Sequence, residues 1–156
     1  MTEKLWINLG CGDDIRNGFV NVDKSCPKDS KWLTLNADLN NMWPFVTSTA
    51  DYILAQDIIE HLSDKIFTMN EAWRVLKNMA LFDIWVPTTD GPGAFQDPTH
   101  VSFWNRRSFL YYEKGNSYRE RFCESYGIVA AFSFVKEETI QTQDGPKLHI
   151  ILRAEK

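Results

Sequence analysis

The chain has 156 residues, 17 of them basic and 21 acidic, giving a formal net charge of −4, and 44% of the residues are hydrophobic. That is the size of one domain with a single core, and the acidic balance speaks against polyanion binding, because nucleic-acid binders carry a basic footprint. No apolar run nears the ~20 residues of a membrane span and Met1-Thr2-Glu3-Lys4 opens no signal-peptide core, so a cytoplasmic protein without membrane attachment is expected.

No repeat, low-complexity tract or linker divides the sequence, so residues 1–156 read as one domain. Residues 5–9 form a strand-like apolar run that stops at Gly10-Cys11-Gly12. Residues 19–22 form a second, ending at Asp23, and residues 32–35 a third, ending near Asp38. A fourth, residues 52–55, ends at Gln56-Asp57, and a fifth, residues 81–86, is stopped by Pro87. Between the last two, Ile66, Met69, Trp73 and Leu76 recur at helical spacing, with Ser63 or Asp64 as N-cap. Strand, helix and strand make a βαβ unit, which wants a parallel sheet. After Pro87 come a long loop and mixed helical segments. Residues 131–142 and 147–154 then read as a hairpin joined through Gln143-Asp144-Gly145-Pro146. The expected class is α/β, with a mostly parallel sheet and an antiparallel C-terminal edge. The cysteines Cys11, Cys26 and Cys123 form no C-x-x-C pair, which argues against a disulfide framework or a zinc knuckle.

Ligands of open α/β sheets lie beyond the carboxyl ends of the strands. Here those ends carry Gly10 and Gly12, then Asp23, Asp38, and Gln56-Asp57. Each alone is an ordinary turn residue. Four in register suggest a nucleoside site. A dinucleotide site uses G-x-G-x-x-G and a helix N-terminus for the pyrophosphate. This sequence has only Gly10-x-Gly12, followed by Asp13-Asp14, whose charges oppose a pyrophosphate. Between Gly12 and Asp23 a full crossover helix barely fits, so the first connection is expected to be short or partly irregular. A phosphate-free, cationic adenosine ligand suits the site better, and S-adenosylmethionine is one. Asp23 can accept both ribose hydroxyls and Asp38 the adenine amino group, while Gly10 and Gly12 admit the methionine portion closely.

At these residues the sequence resembles the class I S-adenosylmethionine-dependent methyltransferases, most nearly the small methyltransferase-11-like members of bacterial polysaccharide gene clusters and phages. The run Ile7-Asn8-Leu9-Gly10-Cys11-Gly12 with Gly18-Phe19-Val20-Asn21-Val22-Asp23 is similar to their glycine motif and second strand. Asp38-Leu39 with Trp43-Pro44-Phe45, then Ile59-Glu60-His61-Leu62, Arg74-Val75-Leu76-Lys77 and Gln96-Asp97-Pro98-Thr99-His100 match later motifs in order. The resemblance implies a Rossmann-like methyltransferase fold with helices on both faces of the sheet. It implies cofactor contacts at Gly10, Gly12, Asp23, Asp38, Leu39 and Gln56, with Asp57 facing the acceptor. The sequence departs from the family at Asn78-Met79-Ala80, where Pro-Gly-Gly is usual, and in starting almost on its first strand. The second departure leaves the site open, or closed by another copy of the chain or a partner subunit.

Methyl transfer is an in-line displacement that needs alignment and, for a hydroxyl acceptor, a base. His100 with Asp97 is the base candidate, with loop organisation as the alternative. His61 and His149 read as structural. Phe103 and Trp104 are candidate pocket aromatics, whereas Trp6, Trp73 and Trp85 are expected in the core. No H-x-x-x-H or comparable metal cluster stands out, and the D-P-P-Y type motif of DNA amino-methylating enzymes is absent. A methyltransferase acting on a small molecule or saccharide is therefore expected. A non-catalytic domain of the same fold and a nicotinamide-dependent oxidoreductase are the alternatives.

Overall fold

A computed structural model describes residues 4–27 and 29–156; Met1-Thr2-Glu3, read above for a signal segment, lie outside the described residues. Seven strands, β1 Trp6–Leu9, β2 Val20–Asp23, β3 Thr34–Asn36, β4 Ala50–Gln56, β5 Leu76–Pro87, β6 Phe132–Thr142 and β7 Gly145–Ala154, form one sheet ordered β3-β2-β1-β4-β5-β7-β6. The first five pair in parallel, and β7 runs antiparallel to both β5 and β6. The chain leaves β1 toward β2 and β3 and returns to β4 on the other side, so the order reverses between β1 and β4. That reversal is where α/β sheets open a crevice.

Helix α1, Lys65–Val75, starts at Asp64, whose Oδ1 accepts from the Phe67 amide at 2.9 Å, and buries Met69, Ala72 and Val75. Leu76, expected as its last apolar position, already belongs to β5. The chain passes from helix to strand without a loop, and the register slips between the Ala50–Leu76 and Tyr52–Leu81 pairs. The slip takes up Asn78-Met79-Ala80, with Met79 at a φ of 66°, so a bulge replaces the glycine turn. A short helix α2, Gly93–Gln96, and helix α3, Ser117–Tyr126, follow, with 3₁₀ segments at Ile59–His61 and Arg106–Tyr112.

Alternation along the strands sorts the two faces. Ile7, Leu9, Val22, Ile53, Phe82, Ile84, Ile150 and Leu152 point to one side and share a core with Met69, Val75, Trp104, Phe109 and Ile128. Each such aliphatic side chain contributes roughly 1.5–3 kcal/mol by leaving water. Helices were expected on both faces, but none occurs among the described residues of 10–49, where crossovers of a dozen or more residues would be required. A hydrogen-bonded loop serves instead over β1 and β2: Asn8 Nδ2 donates to the Asp14 carbonyl at 2.8 Å and to Asn21 Oδ1, which also accepts from the Arg16 amide.

Farther along this second face, beside Leu54, Leu81 and Ile151, polar and aromatic side chains bond one another. The Tyr52 hydroxyl donates to Asp83 at 2.6 Å, and His149 bridges Asp83 (2.9 Å) and Glu138 (3.2 Å) while stacking on Trp85 at 3.8 Å. Trp6 and Trp85, expected in the core, have the strand parity of this face. Trp6 is 40% exposed; the fully buried tryptophans are Trp43 and Trp104. No helix among the described residues is long and apolar enough to cross a membrane.

Candidate functional site

A cleft of about 290 Å³ opens beyond the carboxyl ends of β1, β2 and β4, and Gly10, Asp23, Asp38, Leu39, Ile58 and His61 are among the residues that line it. The size is near the lower end of ligand clefts. Gly10 has a φ of 60°, and a Cβ there would stand 2.3 Å from Ile58 Cγ1. Its missing side chain thus makes room for Ile58 as well as for the turn. Gly12, at a φ of 46°, faces open space, and its amide donates to Asp23 Oδ2 at 3.1 Å. The Ser25 amide donates to the other oxygen, so the Asp23 carboxylate is aimed before any ligand arrives. Asp38 accepts from the backbone amide and side chain of Asn40, which hold its carboxyl below the usual range. Cys11, behind the turn, is pushed up to about 12 by burial, so its thiol stays protonated.

A second pocket of about 210 Å³ adjoins the first and shares His61 with it. Its lining includes Asp57, Glu60, Asp97, His100, Asp144 and Lys147. Asp57, the residue after β4, lies in the left-handed region at a φ of 52°, a conformation that Asp tolerates better than most residues. Its Oδ2 accepts from Lys147 Nζ at 2.6 Å, while its Oδ1 is buried without a partner. Glu60 is 2% exposed and neither carboxylate oxygen is hydrogen-bonded among the described residues. Burial, reinforced by the negative charge of Asp57, pushes its carboxyl up to about 8. His100 Nε2 lies 4.0 Å from Glu60 Oε1 and 3.9 Å from Asp97 Oδ2, and the His61 and His100 rings meet edge to face at 4.8 Å.

The backbone around this pocket is pinned. The Glu60 carbonyl accepts from the amides of Val101 and Ser102, and Ser102 Oγ donates to the Ile59 carbonyl while accepting from Trp104 Nε1. Asp97 Oδ1 accepts from Thr99 through both amide and hydroxyl, which holds the Asp97 carboxyl low.

The structure brings Gly10, Asp23, Asp38 and Leu39 to one cleft, with Gly12 at its edge, and brings Asp57, Asp97 and His100 to the neighbouring pocket. Gln56 is in neither lining; its side chain accepts from Arg16, which also forks onto Asp14. Trp104 is core, and Phe103 is 40% exposed against Phe95, so neither is a pocket aromatic. Sequence reasoning missed Glu60 and Lys147. Glu60 had one available signal, its place beside His61 with Asp97-x-x-His100 downstream. Lys147 had none, because it reaches Asp57 only through the hairpin register.

Residues 8–82 match the family described as "Methyltransferase domain". No curated protein matches the sequence. Among solved structures, a SAM-dependent methyltransferase from Archaeoglobus fulgidus superposes with a TM-score of 0.62 at 14% identity, covering 96% of this chain and 86% of that one. The 1,6-didemethyltoxoflavin-N1-methyltransferase of Burkholderia thailandensis, solved with bound 1,6-didemethyltoxoflavin and S-adenosylhomocysteine, gives 0.67 at 12% identity over 97% and 71%. One chain of the Haloferax volcanii complex between the Trm112 activator and a methyltransferase gives 0.65 at 15% identity over 99% and 84%. Residues 8–82 are thus similar to a methyltransferase domain, and the whole chain shares the fold of S-adenosylmethionine-dependent methyltransferases.

Proposed function

We propose that the chain moves the methyl group of S-adenosylmethionine to a hydroxyl of a small molecule or saccharide, in the manner of the polysaccharide-cluster and phage methyltransferases that its motifs resemble. The observation that carries this reading is the pair of adjoining pockets with His61 in their common wall. When bound, the cofactor supplies a methyl carbon activated by its sulfonium. The cleft residues fit it: Asp23, aimed by two amides, accepts the ribose hydroxyls, Asp38 takes the adenine amino group, and the open space at Gly12 admits the methionine portion.

On the acceptor side, Asp57, Asp97 and Asp144 outweigh Lys147 and repel phosphate-rich polymers. The pocket therefore favours a compact, hydroxyl-bearing acceptor. A hydroxyl gives up its proton as its oxygen bonds to the methyl carbon, and the lone pairs gathered around His100 serve that loss. Proximity of the two pockets supplies the alignment that the displacement requires. A second subunit, either another copy or an activator like that of the Haloferax complex, closes the cleft.

The test is calorimetric titration with S-adenosylmethionine, S-adenosylhomocysteine and NAD, with thermal shifts alongside. A ligand present at about 100 times its dissociation constant adds about 2.7 kcal/mol to stability. Binding of the two sulfur nucleosides and not NAD is expected, followed by methyl transfer to a sugar or small-molecule panel. Binding of none of the three overturns the reading in favour of a non-catalytic scaffold.

A further inference from the structure

We propose that Glu60, His61 and His100 bind a divalent transition-metal cation, Mn²⁺ or Zn²⁺ by their chemistry, with Asp97 as a further ligand. The site itself stands on geometry; what the cation does there rests on the methyl-transfer reading. One ligand atom from each of Glu60, His61 and His100 lies within 4.8 Å of the others. Around a cation bound at ~2.0–2.2 Å such atoms stand roughly 3–4 Å apart, so small rotations complete the set.

Three features point to a missing ligand and not to a packing accident. Both oxygens of the buried Glu60 carboxylate lack a donor, and His100 Nε2, at 4.0 Å, is too far to provide one. Without a cation this carboxyl stays buried with neither oxygen bonded, and a bound cation would pair with both its charge and its lone pairs. Each imidazole is also held from behind by a backbone carbonyl: His100 Nδ1 lies 2.9 Å from the Ala94 oxygen and His61 Nδ1 lies 3.2 Å from that of Thr99. A donated Nδ1–H fixes the tautomer with a free Nε2 lone pair, which is how metal-ligating histidines are oriented. Finally, Thr99 occupies only Oδ1 of Asp97 and leaves Oδ2 available, 3.9 Å from His100 Nε2. Two imidazoles with carboxylates select Mn²⁺ or Zn²⁺ over Mg²⁺ or Ca²⁺, which prefer all-oxygen shells.

The cation faces the acceptor pocket. A hydroxyl oxygen on an open coordination position is acidified and aligned there, and its proton leaves to solvent water at the pocket mouth. In the loaded protein His100 is a ligand and not a free base.

The experiment is titration of the chelator-washed full chain with Mn²⁺ alone and Zn²⁺ alone by calorimetry, with melting curves. One ion per chain is expected. Glu60→Gln and His100→Ala should each weaken binding at least tenfold, and His149→Gln, on the opposite face of the sheet, should leave it unchanged. No binding of either ion at millimolar concentration overturns the site, as does unchanged affinity in a folded Glu60→Gln or His100→Ala. Titrating S-adenosylhomocysteine into the same samples separates the two claims. Nucleoside binding without metal overturns the cation site alone; metal binding without nucleoside upholds the site and overturns the methyl-transfer reading.

Discussion

Replacing Glu60 by Gln removes a charge that the fold does not accommodate while keeping the shape of the side chain. The carboxyl is 2% exposed, neither oxygen has a partner, and burial pushes its pKa from 4.5 to about 8. Below pH 4.5 the group is protonated in the folded and unfolded chains alike and its titration is neutral for stability. Between pH 4.5 and 8 the folded chain keeps a proton that the unfolded chain has lost. Stability therefore falls as pH rises, by about 1.4 kcal/mol per pH unit. From pH 4.5 to 7 the loss amounts to about 3 kcal/mol, and a glutamine escapes it. Metal-free Glu60→Gln should thus equal the parent near pH 4.5 and exceed it by about 3 kcal/mol at pH 7, or roughly 6–12 °C in melting midpoint. Urea unfolding of both proteins with chelator at pH 5, 6, 7 and 8 measures the difference. A gap that stays flat across the series, or a variant less stable at pH 7, would refute the reasoning, because the carboxylate would then have a partner in solution.

The two glycines of the first turn should separate. Gly10→Ala drives a Cβ into Ile58 at a positive φ, and overpacking with backbone strain should cost about 2–4 kcal/mol in urea unfolding. Gly12→Ala meets only the strain of its φ, about 1 kcal/mol, so its main effect should be on S-adenosylhomocysteine affinity; equal stabilities for the two would sink this distinction. Asp23→Ala leaves two exposed amides without an acceptor and should change stability by less than about 1 kcal/mol. Calorimetry should show at least tenfold weaker nucleoside binding in that variant, since a hydrogen bond to a charged group contributes about 1.5–3 kcal/mol; unchanged affinity would mean that Asp23 does not hold the ribose.

The first cleft was legible because its residues are tied to strand ends, and strand ends are marked in sequence by where apolar runs stop. Gly10, Asp23 and Asp38 each follow such a stop, and a parallel sheet sets them at one edge. The Glu60 cluster was not legible for the opposite reason. Its members come from a 3₁₀ turn after β4 and a loop after β5, and the bonds that join them, from Val101 and Ser102 to the Glu60 carbonyl, run between backbone groups without a sequence signature. Trp6 and Trp85 were misplaced because strand membership was read without the parity that decides which face a side chain takes. The register pairs Trp6 with Tyr52 and Trp85 with His149, all on the face without helices.

That open face explains how so short a chain keeps the site. Helices between β1, β2 and β3 would bury the second face, and the sequence replaces them with side chains that already have partners: Asn8 and Asn21 hold the loop through Arg16, and His149 joins Asp83 to Glu138 beneath the stacked Trp85. Asn8, Asn21 and His149 are themselves buried, and polar groups bonded to one another are tolerated there because none is left without a partner. The cleft depends on the carboxyl ends of β1, β2 and β4 and on Ile58 packed against Gly10, and none of these requires a second helical layer.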